Sequence, residues 1–364
     1  MENKRLFALD IGTRSVIGLV GEHTGTAIQL LEAQRQEHHT RAMLDGQIHD
    51  VPEVANILLE VKNKLEATCG PLTKVSVAAA GRALCTIRAC AEIDAQSRGI
   101  LASSDEHALE LAAIQSAQHQ LATSNTVSDP TSYYCVGYSV VCFTLDDTQL
   151  KTLVGQRGKL ASIELSATFL PKQVIDSLQS AIKQVGLEIA TLTLEPIAAI
   201  NVLIPPTMRH LNLALVDVGA GTSDVALTRD GSVIAYGMVP CAGDEITEAI
   251  SQKYLLDFNV AEKAKRQLGG GKNKKISFTD ILGTSHKISA GEIIDTVAGN
   301  VAELAHLIAT QILALNAEAP QAVLLVGGGA LTPLLPEAIA QALDIPSSRV
   351  AIRRPDSIEG ITNI

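Results

Sequence analysis

Length, composition and charge narrow the class of protein before any motif is considered. The chain has 364 residues, of which 46% are apolar and 19% charged, and a formal net charge of −10. This length and apolar content support buried cores for two or three domains. The acidic balance and the 3% aromatic content argue against a nucleic-acid surface. We find no signal-peptide core and no run of about 18 apolar residues that would span a membrane, so we expect a cytoplasmic protein without a membrane helix.

The first segment of the chain, residues 1–83, contains an Asp-x-Gly turn between two apolar runs. Asp10 ends the first run, and Gly12, Thr13 and Ser15 follow it. The pattern predicts a β-hairpin whose turn offers a carboxylate, two hydroxyl groups and a glycine that lets backbone N–H groups approach an anion. The other elements predicted here are a third strand, a helix and a fourth strand, at residues 27–33, 53–67 and 74–80.

Residues 84–158 predict an inserted strand–helix–strand module. Ser103 and Glu106 have the spacing of a capping box and are expected to begin its long helix. The polar stretch at 146–159 predicts a turn back to the main body of the protein. The two strands of the module are predicted at residues 85–93 and 133–145.

The next segment, residues 159–205, is expected to return to the first half of the protein. Glu195 and Pro196 begin a helix at its end. A carboxylate in a first helical turn also favours the helix dipole by ~0.3–1 kcal/mol, so a purely structural role for Glu195 stays open. The preceding elements are a strand, a helix that Gly186 ends and another strand, predicted at residues 162–169, 171–185 and 187–194.

A second Asp-x-Gly turn lies at Asp217, again after a buried apolar run. One such turn is an ordinary hairpin feature. Two in matching contexts predict facing loops that clamp a polyphosphate and its metal, because each turn contributes close backbone N–H groups and one carboxylate. This points to a nucleotide. The residues that follow Asp217 in the turn are Gly219, Gly221, Thr222 and Ser223.

Downstream of this turn the sequence predicts two short helices, a long core helix and a glycine-rich junction. The glycine and lysine run at 269–275 is expected at a hairpin tip on a small outer subdomain. A buried strand ends in Gly327, Gly328 and Gly329, a junction at which a flat base or a phosphate can lie against bare backbone. The helices are predicted at residues 244–255, 261–268, 291–316 and 331–343.

In order and spacing, the two turns and the glycine junction resemble the actin-like ATPase superfamily, which includes actin, MreB, DnaK-type chaperones, sugar kinases and FtsA. Residues 194–200 are similar to the Glu-Pro-x-Ala-Ala helix that links the two halves in DnaK-type chaperones and MreB. The insertion at 84–158 resembles the accessory subdomain of FtsA and PilM. The resemblance implies an α/β, actin-like fold, a duplicated ribonuclease H-like two-domain ATPase fold with an FtsA-type strand–helix–strand accessory subdomain.

The resemblance also implies ATP and Mg²⁺ as cofactors. Asp10 and Asp217 would hold the metal through water, and Glu195 would position the attacking water, so these three form the expected catalytic set. Because many FtsA proteins lack this glutamate, its presence suggests slow ATP hydrolysis used as a switch. A solvated helix face remains the alternative for Glu262 and Lys265. The residues expected to bind the nucleotide are Gly12, Thr13, Ser15, Gly219, Gly221, Thr222, Ser223, Gly243, Asp244, Glu262, Lys265, Gly327, Gly328 and Gly329.

The same resemblance suggests how the chain divides into domains. The first half would combine three segments, the last of them truncated, and the accessory subdomain would be a single insertion. The second half would consist of a core and the small outer subdomain. The expected ranges are 1–83, 159–205 and 344–364 for the first half, 84–158 for the accessory subdomain, 206–245 and 289–343 for the second core, and 246–288 for the outer subdomain.

The likeness to FtsA implies a cytoskeletal scaffold of bacterial cell division that assembles into filaments. Its protein partner would be an FtsZ-like tubulin homologue or a component of a membrane complex. FtsA ends in an amphipathic membrane helix, which this sequence does not reach, so membrane association would depend on missing C-terminal residues or on a partner. The alternative is a non-polymerising regulatory ATPase of the PilM-adaptor or DnaK-chaperone type.

Two related classes of enzyme are disfavoured by the residues themselves. A sugar kinase needs an aspartate base and sugar-binding loops in the first half, and we find no convincing candidates. Actin-fold activators of radical dehydratases hold an iron–sulfur cluster with a cysteine beside the glycine junction. No cysteine occurs at residues 327–329.

Overall fold

Two five-stranded sheets with the same strand plan organise the protein, whose computed structural model describes residues 5–24, 28–79, 84–123, 129 and 132–353. In each sheet, three antiparallel strands are followed by two that run parallel to the first. The first sheet has the order β11-β6-β1-β2-β3, with β1 (Arg5–Ile11), β2 (Ser15–His23), β3 (Ile28–Glu37), β6 (Lys74–Ala79) and β11 (Glu188–Leu194). The second has the order β14-β13-β12-β17-β18, with β12 (Leu213–Val218), β13 (Ser223–Arg229), β14 (Ser232–Val239), β17 (Ala322–Val326) and β18 (Val350–Ile352).

The first sheet is covered by helices α1 (Val51–Cys69) and α3 (Lys172–Gln184). Asp50 caps α1 by accepting a hydrogen bond from the backbone N–H of Glu53 at 3.0 Å. The helix packs closely on β2 at Gly18, where an added Cβ would lie 2.6 Å from a methyl group of Val61. A short hairpin between β3 and α1 consists of β4 (Met43–Leu44) and β5 (Gln47–Ile48).

The accessory subdomain is a four-stranded antiparallel sheet of order β7-β10-β8-β9, with helix α2 on one face. We expected the strand at 162–169 to return to the first half. That expectation is wrong, because β10 is a central strand of the accessory sheet, paired with both β7 and β8. The local apolar pattern of β10 is compatible with either sheet, so only the observed strand pairing shows which sheet it joins. The elements are β7 (Cys85–Asp94), α2 (Ser103–Thr123), β8 (Tyr133–Leu145), β9 (Thr148–Leu150) and β10 (Leu160–Pro171).

The start of α2 also differs from the expected capping box. Asp105, rather than Glu106, supplies the capping carboxylate and accepts a hydrogen bond of 2.8 Å from the backbone N–H of Ala102. Glu106 instead accepts a hydrogen bond of 2.6 Å from the backbone N–H of Leu153. The first turn of α2 is therefore fixed to the segment that follows β9.

The second sheet and the outer subdomain are joined by one continuous core that extends from β12 to α8. The glycine and lysine run at 269–275 connects α6 to β15, so the expectation of a hairpin tip there is wrong. The tip lies at 280–284, where the backbone N–H of Asp280 donates to the carbonyl oxygen of Thr284 at 3.0 Å. The elements are α5 (Gly243–Tyr254), α6 (Phe258–Lys265), β15 (Lys275–Thr279), β16 (Ser285–Ser289), α7 (Ala290–Asn316) and α8 (Leu335–Ala342).

Helix α7 forms the main packing surface of the second half. Its buried face contains the residues expected from the sequence, among them Ile293, Val301 and Ile308. Among the described residues it is also the one helix whose length and composition would allow a membrane span. Because that apolar face packs in the protein core, we describe α7 as a core helix.

The C-terminal elements differ from the prediction in two places. Helix α8 begins at Leu335 rather than at Leu331, because Leu334 adopts a left-handed conformation with φ 71° that separates α8 from the glycine junction. Residues 344–352 were assigned to the first half, but β18 pairs in parallel with β17 in the second sheet. The assignment of residues 354–364 concerns a segment outside the described residues.

The two halves are connected by helix α4 (Glu195–Leu203) and by the accessory subdomain. Thr86 in β7 donates a hydrogen bond of 2.9 Å to the carbonyl oxygen of Tyr236 in β14. Arg88 donates to the carbonyl oxygen of Ile234 at 3.3 Å, and the hydroxyl groups of Ser139 and Tyr236 lie 2.9 Å apart. The accessory sheet therefore covers the edge strand of the second sheet, although it is inserted in the first half.

Candidate nucleotide-binding site

The two Asp-x-Gly turns have the same backbone geometry and lie on opposite sides of one cleft. In the first turn the N–H of Gly12 donates to the carbonyl oxygen of Ser15 at 3.1 Å. In the second the N–H of Gly219 donates to the carbonyl oxygen of Thr222 at 2.9 Å. Each turn follows a central strand of its sheet, so the duplication in sequence is also a duplication in structure.

The cleft between the halves has a volume of about 780 Å³ and is lined by residues of both turns, of α4 and α6, and of the glycine junction. Nucleotides carry a polyphosphate and a flat base, and a cavity of this size falls in the range of small-molecule sites. The structure thus brings together thirteen of the residues selected from the sequence: Asp10, Gly12, Thr13, Ser15, Glu195, Asp217, Gly219, Thr222, Glu262, Lys265, Gly327, Gly328 and Gly329.

Four other selected residues do not line the cleft. Ser223 is wholly buried and its hydroxyl donates to the carbonyl oxygen of Cys241 at 2.8 Å, so it is not available to a phosphate. Gly221 lies against the first half, where an added Cβ would be 3.0 Å from the backbone nitrogen of Asp45. Gly243 and Asp244 form the start of α5 behind the second turn.

Four carboxylates converge at the base of the cleft. Asp10 and Asp217 come from the two turns, and Glu195 comes from the first turn of α4. Asp224, left undecided by the sequence, is the cross-strand partner of Asp217 in β13 and is only 2% exposed. The carboxyl groups of Glu195 and Asp10 share a hydrogen bond.

Desolvation raises the pKa of every member of this cluster. The pKa of Asp10 rises to about 6 even though the hydrogen bond from Glu195 opposes the rise. The pKa of Asp217 rises to about 6, with the charge of Asp10 adding to desolvation. Desolvation and then the charge of Asp217 raise the pKa of Asp224 to about 7. Desolvation and then the charge of Asp10 raise the pKa of Glu195 well above its usual range.

The cluster fits a hydrated divalent cation. Oε1 of Glu195 and Oδ1 of Asp224 are buried and have no hydrogen-bond partner among the described residues. A positive charge would interact favourably with these unpaired oxygens and would reduce the repulsion between neighbouring carboxylates. In the described part of the chain no three His, Cys, Asp or Glu side chains are grouped closely enough to ligate a metal directly. The expectation that Asp10 and Asp217 hold the ion through water stays a prediction.

At the other end of the cleft, Glu262 belongs to a dense network of charges. One oxygen accepts hydrogen bonds from Thr247 at 2.6 Å and from Lys265 at 2.8 Å, and the other accepts from Arg266 at 2.9 Å. Burial raises the pKa of Glu262, but the charge and hydrogen bond of Lys265 outweigh it, and the pKa falls to about 2. Lys265 also donates to the carbonyl oxygen of Gly243 at 2.8 Å. The solvated helix face considered as an alternative is therefore wrong for this pair.

The glycine junction lies directly against the second turn. Gly327 has φ +84°, and an added Cβ would lie 2.3 Å from Oδ1 of Asp217. A Cβ on Gly329 would lie 2.6 Å from the carbonyl oxygen of Gly219. These glycines are needed because backbone fills the space that a side chain would occupy.

Sequence reasoning missed several residues at the cleft. Arg14 and Arg35 line it, and Arg35 donates to the hydroxyl oxygen of Ser15 at 3.2 Å. Gly46, in the turn between β4 and β5, donates its N–H to the hydroxyl oxygen of Thr13 at 3.1 Å. The Asp-Gly pair at 45–46 is a hairpin signal that could have predicted this turn. No local signal gives the positions of the arginine side chains.

Comparison with known proteins agrees with this geometry. The family model for the cell division protein FtsA matches residues 214–363. FtsA of Bacillus subtilis is 24% identical over 375 residues, covering 98% of this chain and 80% of its own length. FtsA of Pseudomonas aeruginosa is 23% identical over 372 residues, covering 99% of this chain and 85% of its own. The chain is therefore similar to FtsA proteins over nearly its whole length.

Solved structures support the actin-like fold of this chain. A structure of the PilM–PilN type IV pilus biogenesis complex matches with a TM-score of 0.67 and 15% identity, over 96% of this chain and 88% of that one. An MreB protein of Spiroplasma citri bound to ADP matches with a TM-score of 0.55 and 14% identity, over 98% of this chain and 93% of that one. The actin-like fold class expected from the sequence is confirmed.

Proposed function

We propose that the protein binds ATP with Mg²⁺ in the cleft and serves as an FtsA-like scaffold in bacterial cell division, using slow hydrolysis as a switch between assembled and free states. The observation that carries the proposal is the pair of matched Asp-x-Gly turns that face each other across one cleft, with Glu195 at its base. The matches to FtsA proteins over nearly the whole chain support the cell-division role.

In this proposal the backbone of the two turns binds the polyphosphate. The turns present N–H groups, the hydroxyl groups of Thr13, Ser15 and Thr222, and the guanidinium of Arg14 to the same space. Gly328, which is exposed in the cleft, leaves backbone open for the flat part of the nucleotide. Glu262 and Lys265 lie at the adenosine end, where their mutual hydrogen bond fixes the orientation of both side chains.

Asp10 and Asp217 would hold Mg²⁺ through water, and the ion would neutralise charge on the phosphates. Asp224 lies beside Asp217 and adds negative charge to that site. Glu195 would orient the attacking water, and a carboxylate whose pKa is raised is a stronger base toward the proton of that water. The first turn of α4 places Glu195 between the two phosphate turns.

The first experiment measures nucleotide binding, phosphate release and ATP-dependent sedimentation on the same preparation. The informative variant is Asp217→Asn, and Asp230→Asn is its matched control, because Asp230 lies exposed at the tip of the hairpin that follows. We expect Mg-ATP to drive pelleting of the wild type and of the control but not of Asp217→Asn. Binding and turnover that do not depend on Asp217 would contradict the assignment of the site.

The second candidate function is that of a non-polymerising adaptor. It is considered because the structure of the PilM–PilN complex has the same fold, with a TM-score of 0.67. Nucleotide binding or hydrolysis without pelleting at any protein concentration would select this function. In either case we propose a cytoplasmic protein that associates with the membrane through a partner or through further residues.

A further inference from the structure

Arg14 breaks the internal symmetry of the two turns. Aligning Asp10 with Asp217 places Arg14 opposite Gly221. Gly221 has no room for a side chain, because an added Cβ would lie 3.1 Å from a methyl carbon of Thr13 and 3.0 Å from the backbone of Asp45. The duplicated site therefore has a guanidinium in one turn and bare backbone in the other.

The side chain of Arg14 crosses the cleft to the second half. Its Nη2 donates to a carboxylate oxygen of Asp244 in the first turn of α5 and lies 3.9 Å from Oε2 of Glu262. Its guanidinium carbon lies 4.9 Å from the ring centroid of Phe258, at the start of α6. Nε of Arg14 is buried and has no hydrogen-bond partner among the described residues. The guanidinium thus has donor capacity that the contacts with the second half do not use.

Two further ion pairs connect the same parts of the halves. Arg41 donates to Glu248 at 2.9 Å and stacks over Phe258 at 4.6 Å. Arg266 donates to Glu37 at 2.8 Å. Unlike Arg14, Arg41 does not line the cleft. Arg266 also lines the cleft but belongs to the second half, so Arg14 is the first-half arginine of this set that reaches both the nucleotide space and the second half.

We propose that Arg14 exchanges its ion pair with Asp244 for the terminal phosphate of a nucleoside triphosphate, so that it distinguishes a triphosphate from a diphosphate and reports the difference to α5. The inference rests on the proposed nucleotide site. Arg14 lies between Thr13 and Ser15 in the first phosphate turn, so its guanidinium is within side-chain reach of both the phosphates and Asp244. A terminal phosphate offers more negative charge and more acceptor oxygens than one carboxylate, and arginine binds phosphate in a bidentate manner.

The proposed exchange predicts opposite changes in triphosphate affinity when Arg14 and when Asp244 is substituted. Removing the guanidinium in Arg14→Gln removes the contact with the terminal phosphate. Removing the competing charge in Asp244→Asn leaves Arg14 free for that phosphate. A purely structural ion pair would instead make both substitutions act in the same direction.

The test is a calorimetric titration of ADP and of a non-hydrolysable ATP analogue, each with Mg²⁺, into the full chain. For Arg14→Gln we expect the affinity for the triphosphate to fall by ~10-fold or more and that for ADP to fall much less. For Asp244→Asn we expect the triphosphate affinity to rise. Arg41→Gln is the matched control, since it removes a second arginine from the same aromatic ring and should leave the ratio of the two affinities unchanged.

Hydrogen exchange of the nucleotide-free protein supplies a readout that does not depend on binding. Exchange at the start of α5 should increase in both Arg14→Gln and Asp244→Asn, because each breaks the ion pair. Equal loss of affinity for both nucleotides in Arg14→Gln, or a loss of triphosphate affinity in Asp244→Asn, would overturn the inference. If the wild type bound neither nucleotide, the proposed function would itself fail, whereas normal binding with an unchanged affinity ratio in Arg14→Gln would refute only the role of Arg14.

Discussion

Asp224 is the cross-strand partner of Asp217, whereas the partner of Asp10 at the equivalent place in the first half is Ile17. The two turns are alike in backbone but differ in charge, because only the second strand pair carries an additional carboxylate. With Glu195 this places four acidic groups at the base of the cleft. The cluster is therefore a source of repulsion in the absence of a cation.

The first prediction concerns stability and pH in the presence of a chelator. The folded-state pKa of Asp224, about 7, lies above its ordinary value, so the folded protein binds more protons than the unfolded one between about pH 4 and 7. Stability should fall as pH rises through this window. We expect Asp224→Asn to reduce the dependence of the unfolding free energy on pH and to stabilise the protein at pH 8 by ~1–3 kcal/mol. Chemical denaturation at pH 5 and pH 8 measures the unfolding free energy of both proteins. An equal change with pH in the wild type and in Asp224→Asn would contradict the prediction.

The second prediction compares two neighbouring glycines. Gly327→Ala should lower stability by ~1–3 kcal/mol and weaken nucleotide binding, because its left-handed backbone and its contact with Asp217 exclude a Cβ. For stability, Gly328→Ala is the matched control, since Gly328 has φ −67° and no atom within 4 Å of an added Cβ. Thermal melts of both variants test this difference in stability, and a nucleotide titration of Gly327→Ala against the wild type tests the loss of binding. Similar losses in the two variants would show that the contact with Asp217 is not the cause.

The third prediction concerns the catalytic group. Glu195→Gln should leave nucleotide binding nearly unchanged, because the amide can still donate a hydrogen bond to Asp10. Phosphate release should fall roughly 100- to 10,000-fold if Glu195 orients the attacking water and accepts its proton. Single-turnover measurements separate the two steps. Glu188→Gln, an exposed position in β11, serves as the control, and unchanged release in Glu195→Gln would assign the glutamate to structure alone.

The fourth prediction addresses the contact between the accessory sheet and the second half. The hydroxyl groups of Ser139 and Tyr236 lie 2.9 Å apart, and Tyr236 is 1% exposed. Ser139→Ala and Tyr236→Phe should each destabilise the protein by about 0.5–1.5 kcal/mol. The double variant should lose less than the sum of the two, because the second change removes a partner already lost. Additive losses in a double-mutant cycle would exclude a direct interaction.

Much of the nucleotide site could be predicted because its signals are local. An Asp-x-Gly turn after an apolar strand specifies its own geometry, and the repetition around Asp10 and Asp217 identified the two sides of one site. The first turn of α4 is equally predictable, since Glu195 and Pro196 are typical of a helix start. These features need no information about distant contacts.

The features that were missed depend on distant contacts. The apolar pattern of β10 does not tell which sheet it joins, so its place between β7 and β8 was not predictable from residues 160–171 alone. Arg14 finds Asp244 only after the halves come together, and neither residue carries a sign of the other in its neighbourhood. The later start of α8 depends on Leu334, whose left-handed backbone is unusual for an apolar side chain.

The accessory sheet has a consequence for how movement spreads through the molecule. Alternate residues of β7 face opposite ways, so Ile87 and Ala89 pack in the core beneath α2 while Thr86 and Arg88 hold the carbonyl oxygens of β14. The accessory sheet is inserted in the first half and is hydrogen-bonded to the edge strand of the second. Any change in the angle between the halves must therefore tilt the accessory sheet or break its hydrogen bonds to β14. A tilt of the sheet would displace α2, which packs on its other face.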